Sequence, residues 1–426
     1  MRILVVGSGA REHALAWRLS LAGHELHAAP GNPGIARVAR CHDAGASDVQ
    51  LQVALAEGLA VDLVVVGPEA PLALGLVDAL AARGIAAFGP TRAAARLESS
   101  KAFAKEFMAR HGIATAAFKV ARTVEEALAA AALFGYPCVL KADGLAAGKG
   151  VVVAATEAEA RLFARLCLED AHFGEAGATI VVEQFLPGEE ASLFFLCDGK
   201  RVRRFPPARD FKRLLAGDTG PNTGGMGAFA PAPLSPELCA RIEAEVALPT
   251  LAGMAGEGAA FRGLLYVGLM IGRNGVRVLE YNARFGDPET QVLLPLLEGD
   301  PAELFAACAH GTLETDMRFS DEASVGVVLA APGYPDAPRP GGTLRGLDLW
   351  PSPEEEDERA TWCFHAGTKT EGGQLVAAGG RVLTMVARRP TLPEARAAAY
   401  AALQAVTLEG GQSRPDIAFE TLAARR

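Results

Sequence analysis

The chain has 426 residues, 50% of them hydrophobic and 21% charged, and its formal net charge is -9. This length exceeds what one hydrophobic core usually serves, so about two to four domains are expected. The negative charge argues against nucleic acid as a partner and requires that any phosphate ligand be held locally, by backbone amides, a metal ion and a few cations.

The first hundred residues alternate between strand and helix patterns. A β-branched strand at residues 2–6 ends in the turn Gly7-Ser8-Gly9, and a helix follows at 12–21. Further along come a strand at 63–66, a helix at 72–83 and a strand at 86–88. This alternation predicts an α/β fold that begins with a doubly wound parallel sheet.

The pattern becomes mixed after Ser100. A helix is expected at 101–111, with strands at 137–142 and 179–185. Residues 209–233 are dense in Gly, Asp, Thr, Asn and Pro, which predicts a functional loop. Beyond Phe319 a β-rich tail is expected, with strands at 324–330, 365–368 and 381–386 and a helix at 392–406.

A glycine-rich segment, D-G-L-A-A-G-K-G at residues 143–150, lies between predicted strands at 139–141 and 151–154. Glycines permit positive φ and close approach to a ligand, and loop amides can donate to phosphate oxygens. Lys141 and Lys149 would neutralise phosphate charge. The alternative is an ordinary flexible hairpin.

A second motif ends a predicted strand with Glu280, Asn282 and Arg284. Residues two apart in a strand face the same side, so Glu280 and Asn282 offer two hard oxygen ligands suited to Mg²⁺. Arg284 could stabilise charge on a transferring phosphoryl group. The alternative is a solvated strand edge.

A third motif, V-V-E-Q-F-L-P-G-E-E-A at residues 181–191, is a strand that leaves into a turn. It could serve as a nucleotide hinge, where Glu183 accepts from an adenine amino group and Glu190 bonds to ribose hydroxyls. The backbone of Phe185 and Leu186 would read the edge of the ring. A turn followed by solvated acids is the alternative.

These segments occur in the order typical of the ATP-grasp superfamily, and within it the chain resembles the phosphoribosylamine-glycine ligases. The strings that carry this resemblance are G-S-G-A-R-E-H-A-L at Gly7, V-G-P-E-A-P-L at Val66, K-A-D-G-L-A-A-G-K-G at Lys141, G-D-T-G-P-N-T-G-G-M-G at Gly217 and R-F-G-D-P-E-T-Q at Arg284.

The resemblance implies three domains: an N-terminal α/β domain at 1–100, an ATP-grasp domain of two α+β lobes at 101–320 with its nucleotide lobe at about 118–188, and a small β-rich domain at 321–426. It also implies that ATP phosphorylates glycine to glycyl phosphate, which the amine of 5-phosphoribosylamine attacks to give glycinamide ribonucleotide, ADP and phosphate in purine synthesis. Mg²⁺ or Mn²⁺ would be the metal cofactor of this reaction.

The resemblance also assigns roles to individual residues. Catalytic roles fall on Arg284, Asp218 and Lys141, and metal binding falls on Glu280 and Asn282. ATP binding falls on Lys101, Lys141, Gly148, Lys149, Glu183, Phe185, Leu186 and Glu190. Substrate binding falls on Gly9, Arg11, Glu12, Pro68, Glu69, Asp218, Asn222, Arg284, Gly286 and Asp287.

Two positions depart from the family pattern. The strand at 264–271 offers no carboxylate as a further metal ligand, and Phe211 stands where a histidine is expected, so Phe211 is given no chemical role. His13 and His365 lie within family-like strings, and a structural role is favoured for each.

Seven scattered cysteines without a C-x-x-C pair predict reduced thiols. No apolar run reaches about 18 residues and no basic-then-apolar leader is seen, so no membrane contact is expected. We expect a cytoplasmic protein that is a monomer or a weak homo-oligomer.

Three alternative functions stay open at this point. One is another ATP-grasp ligase, such as a formate-dependent transformylase or a carboxylase of purine synthesis. Another is a dinucleotide-binding oxidoreductase, although Glu12 replaces the third glycine of G-x-G-x-x-G. The last is a nucleotide sensor without catalysis.

Overall fold

The structure, a computed structural model, describes residues 1–145, 150–273, 275–347 and 350–419. Gly148 and Lys149, two of the predicted ATP-binding residues, lie outside the described residues. Within the part of the chain that is described, no helix is long and apolar enough to cross a membrane.

The first part of the chain forms the predicted parallel sheet. Its strands are β1 (Arg2–Gly7), β2 (Glu25–Pro30), β3 (Arg40–Cys41), β4 (Leu63–Val66) and β5 (Ala87–Phe88). They lie in the order β3-β2-β1-β4-β5, and the pairings are parallel. The helices are α1 (Ala10–Ser20), α2 (Val49–Leu59), α3 (Glu69–Ala73), α4 (Leu76–Ala81) and α5 (Arg92–Ser99). The fold-class prediction is confirmed.

The single helix predicted over residues 72–83 is wrong. Gly75 has a φ of +86° and divides this stretch into α3 and α4. Glycine adopts this left-handed conformation at little cost, so the chain turns where a continuous helix was expected.

The central region begins with α6 (Lys101–Arg110) and a four-stranded antiparallel sheet. The elements of this sheet and its two covering helices are β6 (Phe118–Ala121), α7 (Val124–Phe134), β7 (Cys138–Ala142), β8 (Val151–Ala154), α8 (Glu157–Leu168) and β9 (Ile180–Gln184). The strand order is β6-β9-β7-β8.

A second antiparallel sheet, a two-stranded hairpin and two strands of the last sheet follow. The strands are β10 (Glu189–Asp198), β11 (Val202–Arg204), β12 (Arg209–Asp210), β13 (Arg213–Leu215), β14 (Thr219–Asn222), β15 (Gly227–Ala230), β16 (Arg262–Gly272) and β17 (Gly275–Asn282), with α9 (Pro236–Ile242) and α10 (Leu248–Gly256) between β15 and β16. The sheet order is β11-β10-β16-β17, and β13 pairs only with β14 in the described chain.

The last part of the chain adds a five-stranded sheet. The elements of this part of the chain are α11 (Glu289–Leu293), α12 (Pro301–His310), β18 (Ala323–Ala330), α13 (Pro353–Arg359), β19 (Thr361–His365), β20 (Thr368–Glu371), β21 (Gln374–Ala377), β22 (Arg381–Arg389) and α14 (Leu392–Gln404). The order is β12-β15-β18-β22-β19, and β20 pairs with β21.

Two further predictions of local structure need correction. Residues 209–233 are not a plain loop, because they contain β12 to β15, and β12 and β15 join the C-terminal sheet. Residues 365–368 are not one strand, because β19 ends at His365 and β20 begins at Thr368. Residues 209–233 thus connect the central region to the last sheet.

Buried side chains hold the first sheet against the central region. One cluster packs Val64 and Val66 of β4 with Val267 of β16 and Val278 of β17. The carboxyl ends of β1 and β4 are therefore held near the end of β17. There Arg11 of α1 donates to the Phe285 carbonyl, and Glu69 of α3 pairs with Arg284.

Candidate functional site

One cleft joins these parts of the molecule. It comprises a cavity of about 360 Å³, called here the inner cavity, and one of about 490 Å³, called the hinge cavity. Both are lined by Lys141, Lys212 and Glu280, so they adjoin one another. Such a concave site, with polar groups converging on it, is the expected form of a small-molecule site.

The hinge cavity contains most of the predicted adenine-side residues. Phe185 and Leu186, in the stretch that links β9 to β10, and Glu190, near the start of β10, all line it. Phe185 and Glu190 are exposed, and Lys212 Nζ lies 3.4 Å from Glu190 Oε2. The structure thus brings these three residues together, while their roles in ATP binding stay predictions.

Glu183 has two cationic neighbours that the hinge motif did not indicate. Its carboxylate is 2% exposed, with Oε2 2.9 Å from Lys105 Nζ and Oε1 2.9 Å from Lys141 Nζ. Burial raises the pKa of Glu183, but the two lysines outweigh this effect and leave the pKa below its ordinary value. Oε1 accepts no hydrogen bond among the described residues, and Glu183 lines the hinge cavity, so its acceptance from an adenine amino group stays a prediction.

Three lysines converge on the cleft. Lys101 begins α6, and its Nζ donates to the Gly144 carbonyl at 2.9 Å. Lys141 on β7 donates to the Leu279 carbonyl at 3.3 Å. Lys105, one helical turn after Lys101, has its pKa lowered to about 8, first by burial and then by the charge of Lys141. The cluster supplies the local positive charge that the acidic chain otherwise lacks.

Glu280 and Asn282 face the same cavity, as predicted from their spacing on β17. Gly268 is paired opposite Glu280, and a Cβ at position 268 would lie 3.2 Å from Glu280 Cγ, so glycine leaves room for that side chain. Burial raises the pKa of Glu280, but Lys212, Lys141 and Lys101 outweigh it and keep the carboxylate ionised.

This donor set fits a divalent cation. An ionised carboxylate and an amide oxygen are hard ligands suited to Mg²⁺, which normally keeps several waters and shares phosphate oxygens. Among the described residues no group of three or more His, Cys, Asp or Glu side chains is placed to hold a metal. The arrangement therefore suits an ion that the nucleotide phosphates help to bind.

Arg284 is anchored by two acids. Its Nη2 lies 2.8 Å from Glu98 Oε1, and its Nε lies 3.2 Å from Glu69 Oε2. Burial raises the pKa of Glu69, yet Arg284 and Arg11 together lower it to about 2. Two carboxylates thus fix the guanidinium at the wall of the inner cavity, beside Asn282.

Besides Arg284, four predicted substrate residues line the inner cavity: Arg11, Glu69, Gly286 and Asp287. Asp287 is held by Arg381 from β22, at 2.9 Å between Nη2 and Oδ2. Gly9, Glu12 and Pro68 are absent from the walls of both cavities.

Glu12 occupies the place that a dinucleotide phosphate would need. Its Oε2 accepts from the Gly9 amide at 2.6 Å, and its Oε1 lies 2.6 Å from Arg11 Nε. A Cβ at Gly7 or Gly67 would lie within 2.5 Å of Glu12 atoms, so these glycines make room for its side chain. The glycine turn therefore encloses a carboxylate, which argues against the oxidoreductase alternative.

Asp218 and Asn222 line the hinge cavity, whereas Arg284 lines the inner cavity. Asp218 has a φ of +51° and pairs with the buried Arg414 at 2.7 Å. The structure does not bring Asp218 to Arg284, and the catalytic role of Asp218 stays a prediction.

The sequence motifs missed several side chains that line the inner cavity: Glu98, Lys105, Asp210, Lys212, Glu289 and Arg381. The spacing of Lys105 from Lys101 on one helical face was a usable signal. No sequence signal indicated Arg381, because it reaches the cleft from β22, almost a hundred residues beyond Asp287.

His13 and His365 pack against each other and are absent from the walls of the inner and hinge cavities. The His365 backbone amide donates to His13 Nδ1 at 2.8 Å. Burial lowers the pKa of both, to about 4 for His365, so both imidazoles are neutral near pH 7. These contacts favour the structural role. Phe211 packs in an apolar cluster with Phe229 and Val325.

The chain is similar to known proteins over most of its length. Models of the phosphoribosylglycinamide synthetase family match residues 1–98 (N domain), 99–290 (ATP-grasp domain) and 324–420 (C domain). The chain is 49% identical over 432 residues to a phosphoribosylamine-glycine ligase of Phenylobacterium zucineum, covering 99% of this chain and 100% of the relative. It is 49% identical over 429 residues to that of Streptomyces coelicolor, covering 100% of each.

Solved structures show the same relationship. The crystal structure of phosphoribosylamine-glycine ligase from Thermotoga maritima has a TM-score of 0.87 and 36% identity, and the match covers 98% of this chain and 100% of that one. A biotin carboxylase from Campylobacter jejuni has a TM-score of 0.72 at 16% identity, covering 97% of this chain and 92% of that one, which shows a shared fold only.

Proposed function

The chain belongs to the phosphoribosylglycinamide synthetase family, and from this premise we propose that its cleft joins glycine to 5-phosphoribosylamine at the expense of ATP. It is a ligase of purine biosynthesis with an ATP-grasp fold. The products are glycinamide ribonucleotide, ADP and phosphate, and glycyl phosphate is the intermediate.

The observation that carries this proposal is that the hinge cavity, lined by Phe185 and Glu190, adjoins the inner cavity, lined by Arg284. A nucleotide bound at Phe185, Leu186 and Glu190 would direct its phosphates toward Lys101 and Lys141. The transferred phosphoryl group would then arrive in the inner cavity, where the other substrates would bind.

Glu280 and Asn282 would hold the metal ion, for which we propose Mg²⁺ or Mn²⁺. A divalent ion held there would neutralise phosphate charge during phosphoryl transfer. The ionised state of Glu280 and its place on the wall between the two cavities support this assignment.

The chain's own residues act by positioning and by charge. In the first step an oxygen of the glycine carboxylate attacks the terminal phosphorus of ATP, and ADP leaves. Lys141 and Arg284 stabilise the negative charge of this transfer. In the second step the amine of phosphoribosylamine attacks the carbonyl of glycyl phosphate and phosphate leaves.

Arg11, Glu69, Gly286 and Asp287 would form the phosphosugar side of the inner cavity. We further propose the domain limits 1–100, 101–320 and 321–426, a cytoplasmic location and a monomer or weak homo-oligomer. The seven cysteines are all free, which supports a reducing compartment.

A coupled assay of ADP release tests the proposed function. With phosphoribosylamine generated in place, glycine should support ADP release, while formate, alanine and bicarbonate should not. ADP release with formate would favour a transformylase instead. ADP release that does not depend on any carboxylate would overturn the ligase assignment.

A further inference from the structure

The inner cavity contains an acidic side chain that the proposed phosphoryl transfer does not use. Glu289 is 3% exposed and lines the cavity, and its carboxylate accepts from its own backbone amide but forms no hydrogen bond or ion pair with any other described side chain. An uncompensated buried carboxylate is costly, so its presence calls for a cationic partner that arrives with a ligand.

A second buried acid stands beside it. Asp210, with a side chain 7% exposed, lines the same cavity and pairs with Lys212 at 3.0 Å. Lys212 is already shared among Asp210 and Glu190. Two acids thus face one lysine, and one negative charge is left over when both acids are ionised.

The remaining surroundings of Glu289 do not supply that charge. Tyr266 and Arg284 also face it, but Arg284 is bound to Glu69 and Glu98. Among the elements packed against α11, helix α1 offers Arg11, which pairs with Glu12, and β22 offers Arg381 and Arg388, which pair with Asp287 and Glu322. Strands β15 and β18 contain no charged residue.

We propose that Glu289, assisted by Asp210, binds the ammonium group of glycine. This assignment rests on the proposed function and gives glycine a second anchor, separate from the carboxylate that is phosphorylated. Holding the amine as a cation would also prevent it from attacking glycyl phosphate, so that only phosphoribosylamine acts as the nucleophile.

Binding would be linked to a proton. Burial first, and the charge of Asp210 second, raise the pKa of Glu289 to about 7. Below that pH the carboxyl group holds a proton, which must be released to solvent before the carboxylate can bind an ammonium group. Affinity for glycine should therefore fall by about tenfold for each pH unit below 7, while affinity for ATP should not follow this profile.

The test compares Glu289→Gln with Glu303→Gln, a control at an exposed position on α12. The Michaelis constants for glycine, ATP and phosphoribosylamine are measured between pH 6 and 8. Glu289→Gln should raise the constant for glycine at least about tenfold at pH 8 and remove its pH dependence. The constants for the other two substrates should change less than about twofold, and the control should match the wild type.

The other outcomes are equally informative. A rise for phosphoribosylamine instead of glycine would assign Glu289 to the attacking amine and overturn the proposal, as would an unchanged constant for glycine or an equal rise for all three substrates. If Glu289→Gln does not fold, the wild-type enzyme alone provides the test. A Michaelis constant for glycine that does not change between pH 6 and 8 would then overturn the proposal. Failure of the wild type to release ADP with glycine and phosphoribosylamine would instead refute the proposed function.

Discussion

Replacement of Glu289 by glutamine should stabilise the empty enzyme although it impairs glycine binding. Glu289 is buried, and its pKa is raised from 4.5 to about 7. A raised carboxyl pKa means that the folded chain binds the proton more tightly than the unfolded chain. The associated stability is fully present below pH 4.5 and is lost as the pH rises through 7.

The size of the effect follows from this difference in pKa. Each pH unit corresponds to about 1.4 kcal/mol, so ionised Glu289 costs on the order of 3 kcal/mol of folding free energy at pH 8. Glutamine keeps the volume and removes the charge that faces Asp210. For a chain of this length, that free energy corresponds to an increase of about 3 °C in the midpoint of thermal unfolding.

The assay is thermal unfolding of Glu289→Gln, Glu303→Gln and the wild type at pH 5 and pH 8, without substrates. The Glu289 variant should unfold at a higher temperature than the wild type at pH 8 and at nearly the same temperature at pH 5. A variant that is less stable than the wild type at pH 8, or equally shifted at both pH values, would refute the reasoning.

Three other substitutions test the rest of the cleft. Glu280→Gln should lower turnover on the order of 100-fold at limiting Mg²⁺ with little change in thermal stability, because it removes a charged ligand at constant volume; turnover equal to the wild type would contradict the metal assignment. Lys141→Met should weaken ATP binding about tenfold in calorimetric titration through loss of phosphate neutralisation, and an unchanged affinity would count against it. Glu183→Gln should lower the free energy of unfolding by about 3 kcal/mol, because it leaves Lys105 and Lys141 buried without their shared counter-charge, and denaturant unfolding at the wild-type midpoint would show that this pairing is unimportant.

Local patterns predicted the elements that depend on nearby residues. Strand β4 has the predicted bounds, since a short β-branched run before Gly67 leaves few alternatives. The alternation of Glu280 and Asn282 correctly placed both side chains on the cavity wall, because the period of a strand fixes the face of each residue.

The features that local patterns did not indicate depend on contacts between distant parts of the chain. The carboxylate of Glu183 is directed by Lys105, which lies 78 positions earlier, and nothing in the hinge motif indicates that partner. In the same way, the glycine-rich segment at 209–233 becomes strands because β15 pairs with β18, about a hundred residues later. Composition alone indicated a loop there.

The acid pair in the inner cavity is a further example. Glu289 belongs to the family-like string at Arg284, Asp210 lies outside all of these strings, and only the fold brings the two to the same wall beside Lys212. Neither residue is unusual by local sequence. The charge imbalance between them arises from burial, which a sequence pattern does not report.

The most direct test of the account follows an oxygen atom. Glycine labelled with heavy oxygen in its carboxylate is incubated with the enzyme, ATP and phosphoribosylamine, and the released phosphate is analysed by mass spectrometry. If glycyl phosphate forms, the oxygen that attacked ATP leaves with the phosphate, so each phosphate should contain one labelled atom. Phosphate without label, formed together with glycinamide ribonucleotide, would show that the carboxylate is not activated by phosphorylation and would contradict the proposed mechanism.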